Sequence, residues 1–494
     1  MSTRDLLAEA HSQAAAYLED VANRHVGGTS DRQTLIKQLG GPLPEAPSDP
    51  HVVLANLVRD ADPGIVASVG PRYFGFVTGG AVPVTVAADW LATVWDQNVG
   101  MYVMSPALAV MEDIVAGWLL EMLHLPAGAS VGFVTGAHMA NFTCLAAARH
   151  EVLRRVGWNV EDDGLQRAPR VTIVAGDHAH VSVIGALRML GFGASEVVRV
   201  PVDDQGRTRL DAFERTISRI DGPLIVCAQA GNVGSGGSDP IAGMVLAAHA
   251  RGAWVHVDGA FGLWAAAVPE LADRVAGIDT ADSWTTDAHK WLNVPYDSGL
   301  AIVAHPASHR AAMGLQASYL IRGTDEHRAG MDWVPESSRR ARVVPLYALL
   351  RTLGRTGIQS MIRQTVALAR RMATRLASEP GVHVLNDVVL NQVLVRFDGD
   401  SWPTSEMRRG PHSSRRSLGE GGWSADQATI DVIARVQADG TCWVGGATWF
   451  GQQVMRISIS NWSTSEEDVD RSAAAILACY RVLRGLLTDD ASSK

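Results

Sequence analysis

The chain is predicted to fold as an α/β protein, with a mostly parallel sheet covered by helices on both faces and a smaller α+β unit after it. Three observations lead there. Short apolar runs alternate with helical segments between Gly132 and about Pro306, a long helical stretch comes next, and the pattern then changes to strands and a closing helix. The runs at 171–175, 224–228, 254–257 and 301–304 are too short for helices and read as buried strands. Segments 139–156, 181–190 and 241–250 carry a helical period between them. Strand and helix in turn build crossover units, hence parallel strands. Segment 344–376 is the long helical stretch; 393–397 and 454–459 read as strands and 466–486 as the closing helix. Upstream, 5–24 and 108–123 are amphipathic, and their apolar faces need a partner surface. The expected organisation is therefore a helical segment 1–125, a large α/β domain 126–375, and a small α+β domain 376–494. Within the last, 398–424 is rich in Ser, Gly, Pro and Arg without a hydrophobic period, and reads as an inserted loop. Its arginines Arg408, Arg409, Arg415 and Arg416 suit a solvated linker better than an acidic partner.

Composition narrows the function classes. With 494 residues, 47% hydrophobic and 19% charged, the chain can bury a large core in two or three units. A net charge of −9 disfavours nucleic acid or an anionic membrane as the main partner. Cys144, Cys227, Cys442 and Cys479 are widely spaced and lack C-x-x-C pairing, so neither a disulfide framework nor a zinc site is expected, and no metal. The opening residues carry acids and no apolar signal core, and no uncharged run is long enough to span a bilayer. The expectation is a soluble, cytoplasmic protein.

The chemistry concentrates in Thr286-Asp287-Ala288-His289-Lys290-Trp291-Leu292. A lysine set before an apolar pair is poorly placed for solvation and well placed to form a Schiff base. Upstream, Trp254-Val255-His256-Val257-Asp258-Gly259-Ala260 is a buried strand ending in a carboxylate, as a pyridinium partner would. Together they suggest pyridoxal phosphate (PLP). Asp177-His178-Ala179-His180 is, by itself, a strand-end turn or a metal pair. The stretch from Gly132 to Asn141 is a strand, tight turn and helix start, which aims free backbone N–H groups at an anion.

These motifs, in this order, resemble the group II PLP-dependent amino-acid decarboxylases, nearly end to end from Pro71-Arg72-Tyr73-Phe74 to Arg456-Ile457-Ser458, with the insert outside the pattern. The resemblance implies a fold type I PLP enzyme of the aspartate aminotransferase kind. It implies that Lys290 binds PLP, Asp258 holds the pyridine nitrogen, and His180 stacks on the ring. It also makes Tyr319, in Ser318-Tyr319-Leu320, the catalytic tyrosine of a loop over the site. Ala260, Ala137, His138, His289 and Asn232 are the remaining expected cofactor contacts. At the phosphate turn this chain departs from the family, carrying Ala137, His138 and Met139 where hydroxyls and an acid are usual. Phe76, Val77, Thr78, Trp95, Gln97, Asn98 and Arg456 are the expected substrate pocket. The implied reaction is decarboxylation of an L-amino acid, aromatic in preference, to amine and carbon dioxide by a homodimer. An aldehyde synthase or an aminotransferase is the alternative within PLP chemistry; a non-catalytic PLP-binding protein would be expected to lack Lys290 or Asp258.

Overall fold

Seven strands form the central sheet of the computed structural model, which describes residues 2–315, 327–399 and 424–485. They are β1 (Ser130–Val134), β2 (Thr172–Gly176), β3 (Val198–Val200), β4 (Leu224–Gln229), β5 (Trp254–Asp258), β6 (Ser283–Asp287) and β7 (Gly299–Val303), in the order β1-β7-β6-β5-β4-β2-β3. β7 is antiparallel to both neighbours and the other pairs are parallel. Two antiparallel steps return β1 to the direction of β6. The carboxyl ends of β1, β2, β4, β5 and β6 therefore share one edge, where open α/β sheets place their ligands.

Most strands are continuous apolar runs because both faces are covered. β6 is the exception: Ser283-Trp284-Thr285-Thr286-Asp287 is wholly buried despite its polar content. No apolar run marks it in the sequence, where no strand is expected. The helix Ala137–Arg154 is the main inner cover. Its small residues Ala140, Cys144, Ala147 and Ala148 let it lie close to Val134, Ile173, Ile225 and Ala301 of the sheet. Leu145 is fully buried in the same cluster, and Leu145→Ala would cost about 2–5 kcal/mol through the cavity it leaves.

By packing, the chain divides into two units: residues 1–78, 370–385 and 393–494, and residues 79–369 with 386–392. This differs from the three segments expected from the sequence, since 79–125 cluster with the large sheet and 1–78 with the C-terminal part. The reason for the latter is visible in backbone pairing. Phe74 N–H donates to Trp443 O at 2.9 Å, and Ser458 N–H donates to Phe74 O at 2.9 Å. The smaller sheet consists of β8 (Val382–Val384), β9 (Gln392–Phe397), β10 (Gly445–Trp449) and β11 (Gln452–Ser458), ordered β10-β11-β9-β8. The helix Ala425–Asp439 packs on β11, and the closing helix Glu466–Leu483 starts with a capping box between Ser465 and Asp468. The long stretch is two helices in series within Val343–Ala377, because Gly354 adopts φ 59° and breaks the ladder. Among the described residues, no helix is long and apolar enough to cross a membrane.

Candidate active site

β5 and β6 deliver the two residues of greatest chemical interest to adjacent strand ends. Asp258 closes β5, in register with Gln229 of β4 and Thr285 of β6, and is 4% exposed. Its Oδ1 accepts the Ala260 N–H at 3.1 Å and its Oδ2 an amide hydrogen of Asn141 at 3.3 Å. The Asp287 N–H donates to Ala260 O at 2.9 Å, tying the loop after β5 to the end of β6.

Beyond β6 the chain turns sharply. Ala288 and His289 N–H groups both donate to Ser298 O, and Trp291 and Leu292 are fully buried beneath, with Trp291 Nε1 donating to Thr365 Oγ1 at 2.8 Å. This anchoring leaves Lys290 facing outward, 20% exposed, its Nζ 3.2 Å from Asp287 Oδ2. The segment Gly79-Gly80 lies against this turn. Gly80 N–H donates to Asn293 Oδ1 at 2.6 Å, and a Cβ at position 79 would collide with the Lys290 carbonyl. His289 Nδ1 accepts the Ser298 N–H at 3.1 Å, so the neutral ring carries its proton on Nε2, 3.5 Å from Asp287 Oδ2. Burial holds His289 below the ordinary histidine pKa. The buried Asp287 Oδ1 has no hydrogen-bond partner among the described residues.

His180 caps the helix Val181–Met189, its Nδ1 accepting the Ser182 N–H at 3.3 Å. It shares with Asp258 the lining of a narrow cleft, together with His178, Ala179, Cys227 and Ala228. Burial pushes the Cys227 thiol up to about 12, so no thiolate nucleophile stands there.

At the end of β1, Gly136 precedes the helix Ala137–Arg154 with no side-chain cap on its first N–H groups. A Cβ on Gly136 would come within 3.1 Å of His289 Cε1, so helix start and His289 are neighbours. Ala137 is buried and His138 exposed, its ring against Gly185. Asn232 Oδ1 is engaged by its own loop, accepting Gly234 N–H at 2.8 Å and Ser235 N–H at 3.3 Å.

The expected substrate residues fall in two groups. Phe76, Val77, Thr78 and Arg456 belong to the smaller unit. There Phe76 is 63% exposed, lies 5.4 Å from the Trp443 ring and has the Arg456 guanidinium 6.0 Å from its centroid. Trp95, Gln97 and Asn98 belong to the larger unit. Gln97 Nε2 donates to Trp95 O at 2.9 Å, and Asn98 Oδ1 accepts the Gly100 and Arg339 N–H groups at 3.0 and 3.2 Å. Tyr319 lies outside the described residues, as does most of the 398–424 insert. Asn141, Ser182, His256 and Ser283 were missed by sequence reasoning. The available signal was His256 two residues before Asp258 in a buried strand, which puts both on one face.

A buried carboxylate whose two hydrogen-bond donors are both neutral is costly by itself. A protonated pyridine nitrogen at that point would supply the missing charge, and the uncapped helix start near His289 suits a phosphate. The residues present thus fit PLP. The sequence matches the pyridoxal-dependent decarboxylase conserved domain over residues 33–398. The chain is 26% identical to an aromatic-L-amino-acid decarboxylase of Bacillus atrophaeus, covering 77% of this chain and 78% of that one. It is also 26% identical to a phenylacetaldehyde synthase of Arabidopsis thaliana, covering 74% and 76%. In fold it resembles the crystal structure of an Oryza sativa TDC with PLP and tryptamine, at TM-score 0.87 and 22% identity over 97% of this chain and 98% of the other. The chain belongs to the pyridoxal-dependent decarboxylases. It is a PLP-dependent amino-acid decarboxylase of fold type I, as the motifs led us to expect.

Proposed function

We propose that the protein removes the α-carboxyl group of an aromatic L-amino acid, giving the amine and carbon dioxide, with Lys290, Asp258, His180 and Tyr319 as its central residues. The observation that carries this is the shared cleft of Asp258 and His180 at the carboxyl edge of the sheet, next to the strand whose end leads to Lys290. Bound PLP supplies the electron sink that allows carbon dioxide to leave the α-carbon. Lys290 would hold the cofactor through its side-chain amine, and that amine would move protons at the site. Asp258 keeps the pyridine nitrogen protonated. His180 stacks on the ring and presents its imidazole to the substrate carboxylate. Backbone N–H groups at Ala137 and His138, with His289, hold the phosphate, and Ala260 and Asn232 shape the wall of the cofactor site. Trp95, Gln97 and Asn98 of the larger unit, and separately Phe76, Val77, Thr78 and Arg456 of the smaller, are the residues that the family resemblance assigns to side-chain selection. An aromatic substrate is favoured by the similarity to an aromatic-L-amino-acid decarboxylase. The exposed apolar residues Leu7, Leu18, Val53 and Leu57 of the first helices support a homodimer, with segment 1–125 forming the contact. The four buried, unpaired cysteines support a reducing, cytoplasmic setting.

A second reading has a specific observation behind it, the similarity to a phenylacetaldehyde synthase. The two reactions part at the α-carbon after carbon dioxide leaves: a proton there gives the amine, whereas dissolved oxygen leads to aldehyde, ammonia and peroxide. The Tyr319 phenol is the proposed proton donor. The test is mass-spectrometric product analysis against the standard amino acids, with oxygen and peroxide monitored. Amine without peroxide is expected, from an aromatic substrate, and aldehyde with peroxide from the native enzyme would establish the second reading. Tyr319→Phe is expected to retain carbon dioxide release and shift product towards aldehyde. Unchanged amine yield in that variant would assign proton delivery to another group.

A further inference from the structure

A line of hydrogen bonds behind Asp258 is made of residues that the proposed roles leave unused. Trp254 Nε1 is 2.9 Å from Ser283 Oγ, which is 2.9 Å from His256 Nδ1. His256 Nε2 is 2.8 Å from Asn141 Oδ1. The Asn141 Nδ2 reaches both Asp258 Oδ2 at 3.3 Å and Ser182 Oγ at 3.2 Å, and Ser182 Oγ is 2.7 Å from His180 Nδ1. Trp254, Ser283, His256 and Asn141 are fully buried.

Both ends fix the direction of every bond in this line. An indole N–H only donates and an ionised carboxylate only accepts. Asn141 must therefore turn its NH₂ to Asp258, which leaves its oxygen for His256 and requires the His256 proton on Nε2. His256 Nδ1 then accepts the Ser283 hydroxyl hydrogen, and Ser283 Oγ accepts the Trp254 N–H. Burial agrees, pushing the His256 pKa down to about 4, so the ring is neutral. On the other branch Ser182 Oγ accepts from Asn141 and gives its own hydrogen to His180 Nδ1, which also takes the Ser182 backbone N–H. A neutral His180 consequently keeps its proton on Nε2.

We propose that Asn141 is the positioning residue of the site, one amide that orients the Asp258 carboxylate and, through the Ser182 hydroxyl, steadies the His180 ring, whose Nδ1 that hydroxyl and the Ser182 N–H both fill. This rests on the reading in which Asp258 and His180 flank the cofactor, although the hydrogen-bond directions hold without it. With one oxygen fixed by Ala260 N–H and the other by Asn141, the carboxylate is held in one rotamer. With Nδ1 filled, the His180 imidazole offers an N–H at Nε2.

The test uses the apoprotein labelled with ¹⁵N-histidine, in which long-range ¹H–¹⁵N correlations report each tautomer and His180→Gln assigns the signal. The native protein should show His180 as a single Nε2–H tautomer. Asn141→Leu keeps the size and removes the hydrogen bonds. It should shift the His180 Nδ1 ¹⁵N signal by freeing the Ser182 hydroxyl, and weaken PLP binding about tenfold, the effect of losing one hydrogen bond to a charged group. Ser182→Ala cuts only the hydroxyl bond to His180 and should shift the Nδ1 ¹⁵N signal, the backbone N–H at 182 keeping the Nε2–H tautomer, while leaving PLP affinity within about twofold, on the same scale. A native-like His180 signal in either variant would overturn the proposal, and Ser182→Ala decides it if Asn141→Leu does not fold. Failure of the underlying reading would look different, as Nδ1 signal shifts that occur as expected while His180→Gln and Asp258→Ala leave PLP affinity unchanged.

Discussion

Two polar networks are buried in the larger unit, and they are built from opposite materials. The line from Trp254 to Asn141 is neutral, with a carboxylate only at its end. The other is ionic: Glu112, fully buried, pairs with Arg339 Nη1 at 2.8 Å and Arg328 Nε at 2.9 Å. Arg339 is also fully enclosed and donates to Val99 O at 2.8 Å and Phe133 O at 3.0 Å. Charges taken out of water cost several kcal/mol each and are tolerated only while all are paired. The ionic cluster therefore fixes position, pinning 328–339 to β1 and the helix Pro106–Met122. The neutral line costs less to bury and does something ions cannot, since its donors and acceptors must alternate and so specify where protons reside.

The contrast predicts effects of different kind and size. Asp258→Ala strips the charged end from the neutral line and leaves a bound pyridinium unpaired, a loss of about 3–5 kcal/mol, or roughly 10²- to 4 × 10³-fold in PLP affinity. Spectroscopic titration with PLP measures it, and an Asp258→Ala enzyme with near-native affinity would remove the carboxylate from the cofactor site. Glu112→Gln leaves two buried guanidiniums uncompensated and should lower stability by about 3 kcal/mol, read as a reduced urea midpoint. A change below 0.5 kcal/mol, about the scale of a surface substitution, would mean the cluster is hydrated in solution.

The smallest effect is a slope with pH. His309 is fully buried between Ser130 Oγ and Trp333 O, and burial pushes its pKa down to about 3, as it pushes His256 to about 4. Both lie below the ordinary value of 6.5. The unfolded chain thus binds protons that the folded state refuses. Stability from these rings is fully present above pH 6.5 and declines as pH falls towards 4, by up to about 1.4 kcal/mol per pH unit for each ring. His309→Gln should flatten that decline between pH 6.5 and 5 in urea unfolding, and an unchanged slope would show that His309 is not the neutral buried group described.

The same contrast explains what the sequence could and could not tell. The strands β2, β4, β5 and β7 announce themselves as apolar runs, and the order of the Asp258 and Lys290 motifs led to the family. β6 stayed hidden because Ser283, Thr285, Thr286 and Asp287 look like a loop until two neighbouring strands and a covering helix bury them. Asn141 stayed hidden for a related reason. Its partners stand 41, 115 and 117 positions away, and only the fold brings them to one amide. Arg328 and Arg339 stand in a segment whose local pattern carries no sign of a buried charge cluster. Their partner Glu112 stands more than 200 residues upstream, a pairing that no local spacing rule reaches.

The central claim is covalent attachment of PLP at Lys290, and the chain makes the test unusually clean because Lys37, Lys290 and Lys494 are its only lysines. Holoenzyme should show a visible absorbance band that borohydride reduces to a stable adduct, and peptide mapping should place that adduct on the Asp287-Ala288-His289-Lys290-Trp291 segment, with Lys290→Ala losing both adduct and turnover. An adduct mapped to Lys37 or Lys494, with Lys290 unmodified in active enzyme, would contradict the account.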